Sequence, residues 1–321
     1  MKSTIVIPNY NGMSYIEACL QSVYAQTVTE YEVIVVDNGS KDGSLMWIKE
    51  NYPQVKLIEF EENQGFCKAV NEGIKASETP YVVLLNNDTV VECDFLMELE
   101  KMMDHNKKAF SASAKMLVMK QPELVDDAGD YYCALGWAFA DGKGKPEVQY
   151  NRPGKVFAAC GGAAIYRREV FEQIGYFDEE HFAYLEDIDI GYRAKIYGYT
   201  NLYAPKARVL HAGSAVSGSR YNEFKINLSS RNSVYLVYKN MPLLQIMINL
   251  PFLLLGFFIK ELFFLKKGFG WIYLKGLWKG ICLSNSKQGR KNKVRITKDN
   301  WYRFLLIEIE LIANMIRRVL G

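Results

Sequence analysis

Four short runs rich in aliphatic and β-branched residues, at 4–7, 32–36, 55–59 and Tyr81–Leu85, alternate with stretches of helical periodicity at 14–25, Ser44–Asn51 and 65–76. No other feature restricts the fold as much. The second and fourth runs are almost continuously apolar, as expected of strands buried on both faces. Strands that alternate with helices imply a parallel sheet joined by right-handed crossovers. In such sheets ligands bind beyond the carboxyl ends of the strands. The loops that matter chemically are therefore 8–12, 37–43, 61–65 and 86–89. Further on, the pattern predicts a helix over 94–105, a strand over Ala109–Val118 and an irregular Gly- and Asp-rich insertion over 126–145. A compact stretch over 156–211 follows, with a helix over 186–197 and a strand over 207–210, and then a helix over 222–239 that leads out of the domain.

The formal net charge of +3 conceals an asymmetry. Residues 241–321 carry 14 Lys/Arg against 4 Asp/Glu, so the preceding 240 residues are acidic overall. The expected division is thus an α/β domain over 1–240 and a basic helical appendage over 241–321, separable by truncation after Lys239. Cys19, Cys67, Cys93, Cys133, Cys160 and Cys282 are scattered, with no CxxC pair, as in proteins whose thiols stay reduced. The start, Met1-Lys2-Ser3 and then a strand-like run, has no signal-peptide core, so a cytoplasmic catalytic part is expected.

Two strand-end loops carry carboxylates, Asp37 in Asp37-Asn38-Gly39-Ser40 and Asp88 in Asn86-Asn87-Asp88. A carboxylate at such a position is costly to bury without a partner. Asp37 suits the imide N–H of a nucleotide base, and Asp88 suits a divalent cation that neutralises a diphosphate. Capping of the following helix is the other use open to each.

The blocks Ile5-Val6-Ile7-Pro8-Asn9-Tyr10-Asn11-Gly12 and Val35 to Ser44, then Asn63-Gln64-Gly65-Phe66 with Asn71-Glu72-Gly73, and Leu84 to Asp88, resemble a family-2 glycosyltransferase. Gly161-Gly162-Ala163, Glu186-Asp187-Ile188-Asp189 with Arg193, and Val209-Leu210-His211 continue the likeness, which runs from residue 1 to 239 and is strongest toward bacterial rhamnosyltransferases. The resemblance implies a GT-A type, Rossmann-like, mostly parallel sheet flanked by helices, here with a C-terminal helical appendage. It assigns Pro8, Asn9, Tyr10, Asn11, Asp37, Asn38, Asn63, Gly65, Asn71, Asn87 and Asp88 to the nucleotide sugar. Asp187 takes the role of catalytic base, and Gly161, Gly162, Glu186 and Arg193 fall on the acceptor side; Arg193 also stands where it can pair with Asp189 along the helix. Where many members carry Asp-x-Asp, this chain has Asn86 as the first residue, so Asp88 needs another ligand for Mn²⁺ or Mg²⁺, and the resemblance supplies His211. Trp137 and Tyr184 suit a stacking surface for a sugar, whereas core packing is the expectation for Phe182.

The tail adds a separate signal. Residues 243–265 are long and apolar enough for a membrane span, yet Gln245, Asn249, Pro251, Lys260 and Glu261 interrupt them. From Lys266 to Lys298 there are ten basic residues and no acidic one, interleaved with Phe269, Trp271, Tyr273 and Trp278. Such a mixture is expected of helices at an anionic membrane interface, and residues 299–320 read as one more amphipathic helix. A homo-oligomer interface is the other use of those faces; nucleic acid is not expected, because no nucleic-acid motif accompanies the charge.

These readings give an inverting, metal-dependent hexosyl transfer from a nucleotide sugar, best dTDP-L-rhamnose, to a cell-surface glycan or lipid-linked precursor. The enzyme would be cytoplasmic and peripheral on the inner face of the plasma membrane. A UDP-hexose or UDP-galactofuranose donor, and a catalytically silent membrane scaffold, are the rivals. A dinucleotide-dependent oxidoreductase is excluded by the lack of GxGxxG after the first strand, and a nucleotidyltransferase by the lack of its Gly-rich basic loop.

Overall fold

The computed structural model describes residues 1–213 and 221–320. Its first half alternates β1 (Ser3–Asn9), α1 (Ile16–Tyr24), β2 (Tyr31–Asp37), α2 (Ser44–Asn51), β3 (Lys56–Glu59), α3 (Phe66–Ala76) and β4 (Tyr81–Leu85). Then come β5 (Thr89–Val91), α4 (Phe95–His105), β6 (Ala109–Val118), β7 (Gln121–Asp127), β8 (Asp130–Tyr132), β9 (Ala138–Ala140), β10 (Gly154–Val156), β11 (Ala163–Arg167), α5 (Arg168–Ile174), α6 (Glu186–Ile196) and β12 (Thr200–His211). The helices α7 (Glu223–Asn240), α8 (Leu243–Lys266), α9 (Gly270–Asn285), α10 (Lys287–Asn292) and α11 (Trp301–Leu320) end the chain.

Among the described residues the strands form one large sheet in the order β10-β12-β6-β11-β4-β1-β2-β3, with β5 on β12 and β7 on β6. Six of the eight strands on that path point the same way; β11 and β10 run against them. The expected mostly parallel sheet is therefore present. The two-residue period of a strand explains the layers. Ile5, Ile7, Val33, Val35, Val83 and Leu85 face a core shared with α1 and α4, whereas Val6, Ile34, Val36, Val82 and Leu84 face one shared with α3, α5 and α6.

Two segments differ from the sequence expectation. The 126–145 insertion contains the end of β7 and a small β8–β9 hairpin. Its strands are three residues each and its turns pass through Gly129 and Gly136 at positive φ, so no apolar alternation announces them. β12 extends seven residues upstream of the expected 207–210, because a register shift between Ala204 and Arg208 breaks its periodicity.

The last helices do not stand apart. Leu253 of α8 and Phe304, Ile307 and Leu311 of α11 share one core with Tyr132, Phe157, Ile188 and Tyr192. Beneath it, the fully buried Asp189 carboxylate accepts from Arg193, Lys239 and Asn240, tying α6 to the end of α7.

Candidate active site

A cavity of about 940 Å³ opens at the carboxyl ends of β1, β2 and β4, bounded on its other sides by the start of α6, by His211 at the end of β12 and by the start of α7. Pro8, Asn9, Tyr10, Asn38, Asn63, Asn87, Asp88, Gly162, Tyr184, Glu186, Asp187 and His211 all line it.

Asn9 organises one wall. Its amide nitrogen donates to Asp37 Oδ1 at 2.8 Å and to Ser44 Oγ at 2.9 Å, and its oxygen accepts from Asn87 at 2.8 Å. The other oxygen of Asp37 accepts the Ser40 backbone N–H at 3.0 Å. Asp37 is only 1% exposed and does not line the cavity: its carboxylate holds the loops around Asn9. Asn38 stitches the next loop, donating to Asn63 at 3.0 Å and accepting from the Gln64 N–H at 2.8 Å. Asn11 accepts the Lys41 N–H just outside this wall, and Gly65, at positive φ, opens α3 against the Phe182 ring. Asn71 is elsewhere, clasping the backbone of Phe177 through both ends of its amide.

The register of β5 on β12 places His211 opposite Thr89, one residue from Asp88. His211 Nε2 lies 3.4 Å from Asp88 Oδ1, and Nδ1 lies 2.7 Å from Asp126 Oδ2. Burial pushes the imidazole pKa down, but Asp126 and Asp88 outweigh this and raise it to about 9. Burial works against ionisation of Asp126 too, yet hydrogen bonds from His211 and Lys143 bring it down to about 2. In the protonated form the imidazolium offsets one of the two carboxylate charges, and Lys143, 2.6 Å from Asp126 Oδ1, offsets the other. The donor set also fits a divalent cation: adjacent ligands of a six-coordinate Mg²⁺ are about 3 Å apart. A carboxylate on Nδ1–H fixes the tautomer that leaves the Nε2 lone pair toward Asp88.

The opposite chemistry gathers at the start of α6. Asp187 Oδ1 accepts the Gly161 N–H at 3.0 Å, and a Cβ on Gly161 would lie 2.7 Å from that oxygen, so any larger residue would push the carboxylate aside. Burial, followed by the charges of Glu186 and Asp127, lifts the Asp187 pKa well above the usual carboxylate range. Glu186 is raised to about 7, by burial first and then by Asp130, and its Oε2 is buried without a hydrogen-bond partner. Asp130 is raised to about 8 by burial and the Asp187 charge. Asp127, Asp130 and Cys160 bring ligand atoms within 4.8 Å of one another behind this wall. Four acids therefore cluster here and raise one another's proton affinity. The turn leading into them is strained: Phe182, Tyr184 and Leu185 all have φ between 62° and 71°.

Two expected acceptor-side residues lie away from the cavity. The Trp137 indole donates to the Gly256 carbonyl at 3.0 Å and so supports α8. Arg193 is 5% exposed, pairing with Asp189 and donating to the carbonyls of Ile174, Gly175 and Tyr176, which makes it a structural cation. Conversely, Phe182 lines the cavity rather than the core, its ring edge-on to Phe224 at 6.1 Å. Sequence reasoning missed Asp126, Asp127, Asp130 and the α7 residues Phe224 and Lys225. The clustered acids of Asp126-Asp127-Ala128-Gly129-Asp130 were the one signal for the first three.

A mostly parallel sheet with a polar cavity at its strand ends is the arrangement in which α/β enzymes bind nucleotides. Residues 4–175 match the family model "Glycosyl transferase family 2", and the chain belongs to that family. A Mycobacterium tuberculosis protein named N-acetylglucosaminyl-diphospho-decaprenol L-rhamnosyltransferase is 26% identical over an alignment of 232 positions that covers 64% of this chain and 75% of that one. Among solved structures, Staphylococcus aureus TarS 1–349 in complex with UDP-GlcNAc superposes with a TM-score of 0.62 at 19% identity, covering 91% of this chain and 84% of that one. GalNAc-T7 with UDP, GalNAc and Mn²⁺ gives a TM-score of 0.59 at 19% identity; 74% of this chain is covered, but only 47% of that longer protein.

Proposed function

We propose that the protein transfers a sugar, with L-rhamnose from dTDP-L-rhamnose as the leading choice, to a hydroxyl of a lipid-linked or cell-surface glycan, with inversion at the anomeric carbon. The observation that carries this reading is that one cavity holds both a raised-pKa carboxylate, Asp187, and the Asp88–His211 pair. Asp187 removes the acceptor hydroxyl's proton as that oxygen attacks. Gly161 orients the carboxylate through its N–H, and the neighbouring acids keep its proton affinity high. Asp88 and His211 would hold Mn²⁺ or Mg²⁺, with Asp126 fixing the imidazole; the cation supplies charge neutralisation for the departing nucleoside diphosphate. The Mn²⁺ present in the GalNAc-T7 structure supports this cofactor class. Asn9, Asn38, Asn63 and Asn87 shape the nucleotide wall, and Asp37 acts through Asn9.

The name of the mycobacterial relative, a rhamnosyltransferase for N-acetylglucosaminyl-diphospho-decaprenol, supports a lipid-linked acceptor. Together with the basic, apolar tail it supports a cytoplasmic enzyme working at an anionic membrane. We assign donor and base chemistry to residues 1–240, and membrane contact to 241–321. The test is a panel of dTDP-, UDP- and GDP-sugars, read by thermal shift and by donor hydrolysis with and without Mn²⁺. Stabilisation and turnover with one donor are expected. No turnover with any sugar nucleotide would leave the silent scaffold as the better account.

A further inference from the structure

Helix α8 has the length and composition of a membrane span: 24 residues with a mean hydropathy of 1.9 over its most apolar window. At 1.5 Å per residue it is about 36 Å long, enough to cross a bilayer. Its packing points to a different use. Gln245, Asn249, Leu253, Gly256 and Phe264 are buried, and their spacings of three, four or eight residues trace one stripe along the whole helix.

Every part of that stripe is occupied by the rest of the protein. Gln245 accepts from the Tyr192 hydroxyl of α6 at 2.9 Å, and Gln245 and Asn249 both donate to Glu308 of α11 at 2.8 Å. Leu253 enters the core shared with Tyr132 and Phe157. Gly256 lies against the backbone of Leu135, where a Cβ would fall 2.1 Å from the carbonyl oxygen, and its own carbonyl accepts from Trp137. Phe264 stacks on Tyr273 of α9. A spanning α8 would have to carry the β8–β9 hairpin, α6 and the Glu308 carboxylate into hydrocarbon, or give up these contacts along its full length.

The opposite stripe is bare. Leu244, Ile248, Leu255, Phe258 and Leu262 are each 43–66% exposed and fall on one line of the helix. Trp271 and Trp278 of α9 and Trp301 of α11 are 55–78% exposed. Lys266, Lys267, Lys275 and Lys279, in a stretch that has ten basic residues and no acid up to Lys298, are exposed and complementary to an anionic surface.

We infer that α8 lies in the plane of an anionic bilayer, its Leu244–Ile248–Leu255–Phe258–Leu262 face dipped into one leaflet along its whole length, and does not cross it. This rests on the membrane association proposed above and specifies its mode. The protein is monotopic, and both ends of α8 stay on the side that holds the catalytic cavity.

The test uses the full chain with its exposed cysteines removed (C93S, C282S). Single cysteines are placed at Leu244→Cys, Ile248→Cys, Leu255→Cys, Phe258→Cys and Leu262→Cys and labelled with an environment-sensitive fluorophore. Vesicles of phosphatidylcholine and phosphatidylglycerol, with bromine at known acyl depths, then report how deep each label lies. All five labels should lie at one shallow depth, about 5–10 Å below the headgroup boundary. A profile that is deepest at Leu255 and shallow at Leu244 and Leu262 would overturn the in-plane arrangement and establish a span. Labels that stay aqueous in all vesicles would overturn both this inference and the membrane association, while leaving donor turnover, measured on the same samples, as a separate readout.

Discussion

Asp126 Oδ2 lies 2.7 Å from Nδ1 of His211, and this contact decides which face of the imidazole meets Asp88. An acid from the end of β7 thus sets the tautomer of a histidine at the end of β12, 85 residues later. Asp126→Asn keeps the shape but removes the charge that raises the basicity of the ring. Mn²⁺ affinity should fall about 10- to 100-fold, the usual effect of losing a carboxylate behind a metal-bound histidine. Calorimetric titration of Mn²⁺ checks this; unchanged affinity would remove Asp126 from the metal site.

The same pair predicts opposite pH trends for stability and for metal binding. The folded pKa of His211 is about 9, above its ordinary value near 6.5, so the protonated ring stabilises the metal-free fold. That contribution is complete below about pH 6.5 and is lost as pH rises through about 9. The melting temperature of metal-free protein should therefore fall across this window, and less so in His211→Gln. Metal affinity should rise across the same window, because the cation needs the unprotonated Nε2. A flat melting profile from pH 6 to 9.5 would contradict the assignment.

At the other wall, Asp187→Asn should lower turnover by about 10² to 10⁴ while donor affinity stays within a few-fold, since the amide keeps the shape but cannot take a proton. Its raised pKa moves the acid limb of the rate profile upward. Activity of the wild type should fall as pH drops through a value above the ordinary carboxylate range, because the base is then protonated. Gly161→Ala tests positioning: its methyl would meet Asp187 Oδ1 at 2.7 Å, so kcat should drop with little change in donor KM. Wild-type kcat in Gly161→Ala would show that the Gly161–Asp187 contact is dispensable.

The sequence made the parallel half of the sheet legible because β2 and β4 are nearly pure aliphatic runs and α2 is bounded by clear turn residues. It located Asp88, Asp187 and His211 through a family pattern, and the fold brings all three to one cavity. Asp126, Asp127 and Asp130 were hidden for a physical reason. They reach the site through β6–β7 pairing and a glycine-turned hairpin, neither of which has a local periodicity. Trp137 and Arg193 were ambiguous by type. An indole serves a sugar or a helix carbonyl equally well, and a guanidinium near an acidic turn serves a ligand or a buried carboxylate; here each took the second partner.

The break in charge near residue 241 suggested a cleavable boundary, and the packing predicts otherwise. Truncation after Lys239 removes Asn240, which donates to Asp189 at 2.7 Å, and leaves the Lys239 that also serves this carboxylate at a frayed chain end. It also removes Leu253, Phe304, Ile307 and Leu311, all at most 5% exposed, from the core around Tyr132 and Tyr192. Each such side chain contributes about 1.5–3 kcal/mol by burial. Losing four of them is comparable to the roughly 5–15 kcal/mol net stability of a typical domain. The truncated chain should therefore be insoluble or lose cooperative melting, even though its nucleotide and metal residues are intact. Loss of the α8 outer face alone should be tolerated: Leu244→Ser with Leu255→Ser, on exposed positions, should melt within a few degrees of wild type and bind vesicles more weakly. Thermal melts and vesicle sedimentation on the two proteins separate the roles. A truncated chain that melts like the full chain would show that residues 240–321 are dispensable for the fold.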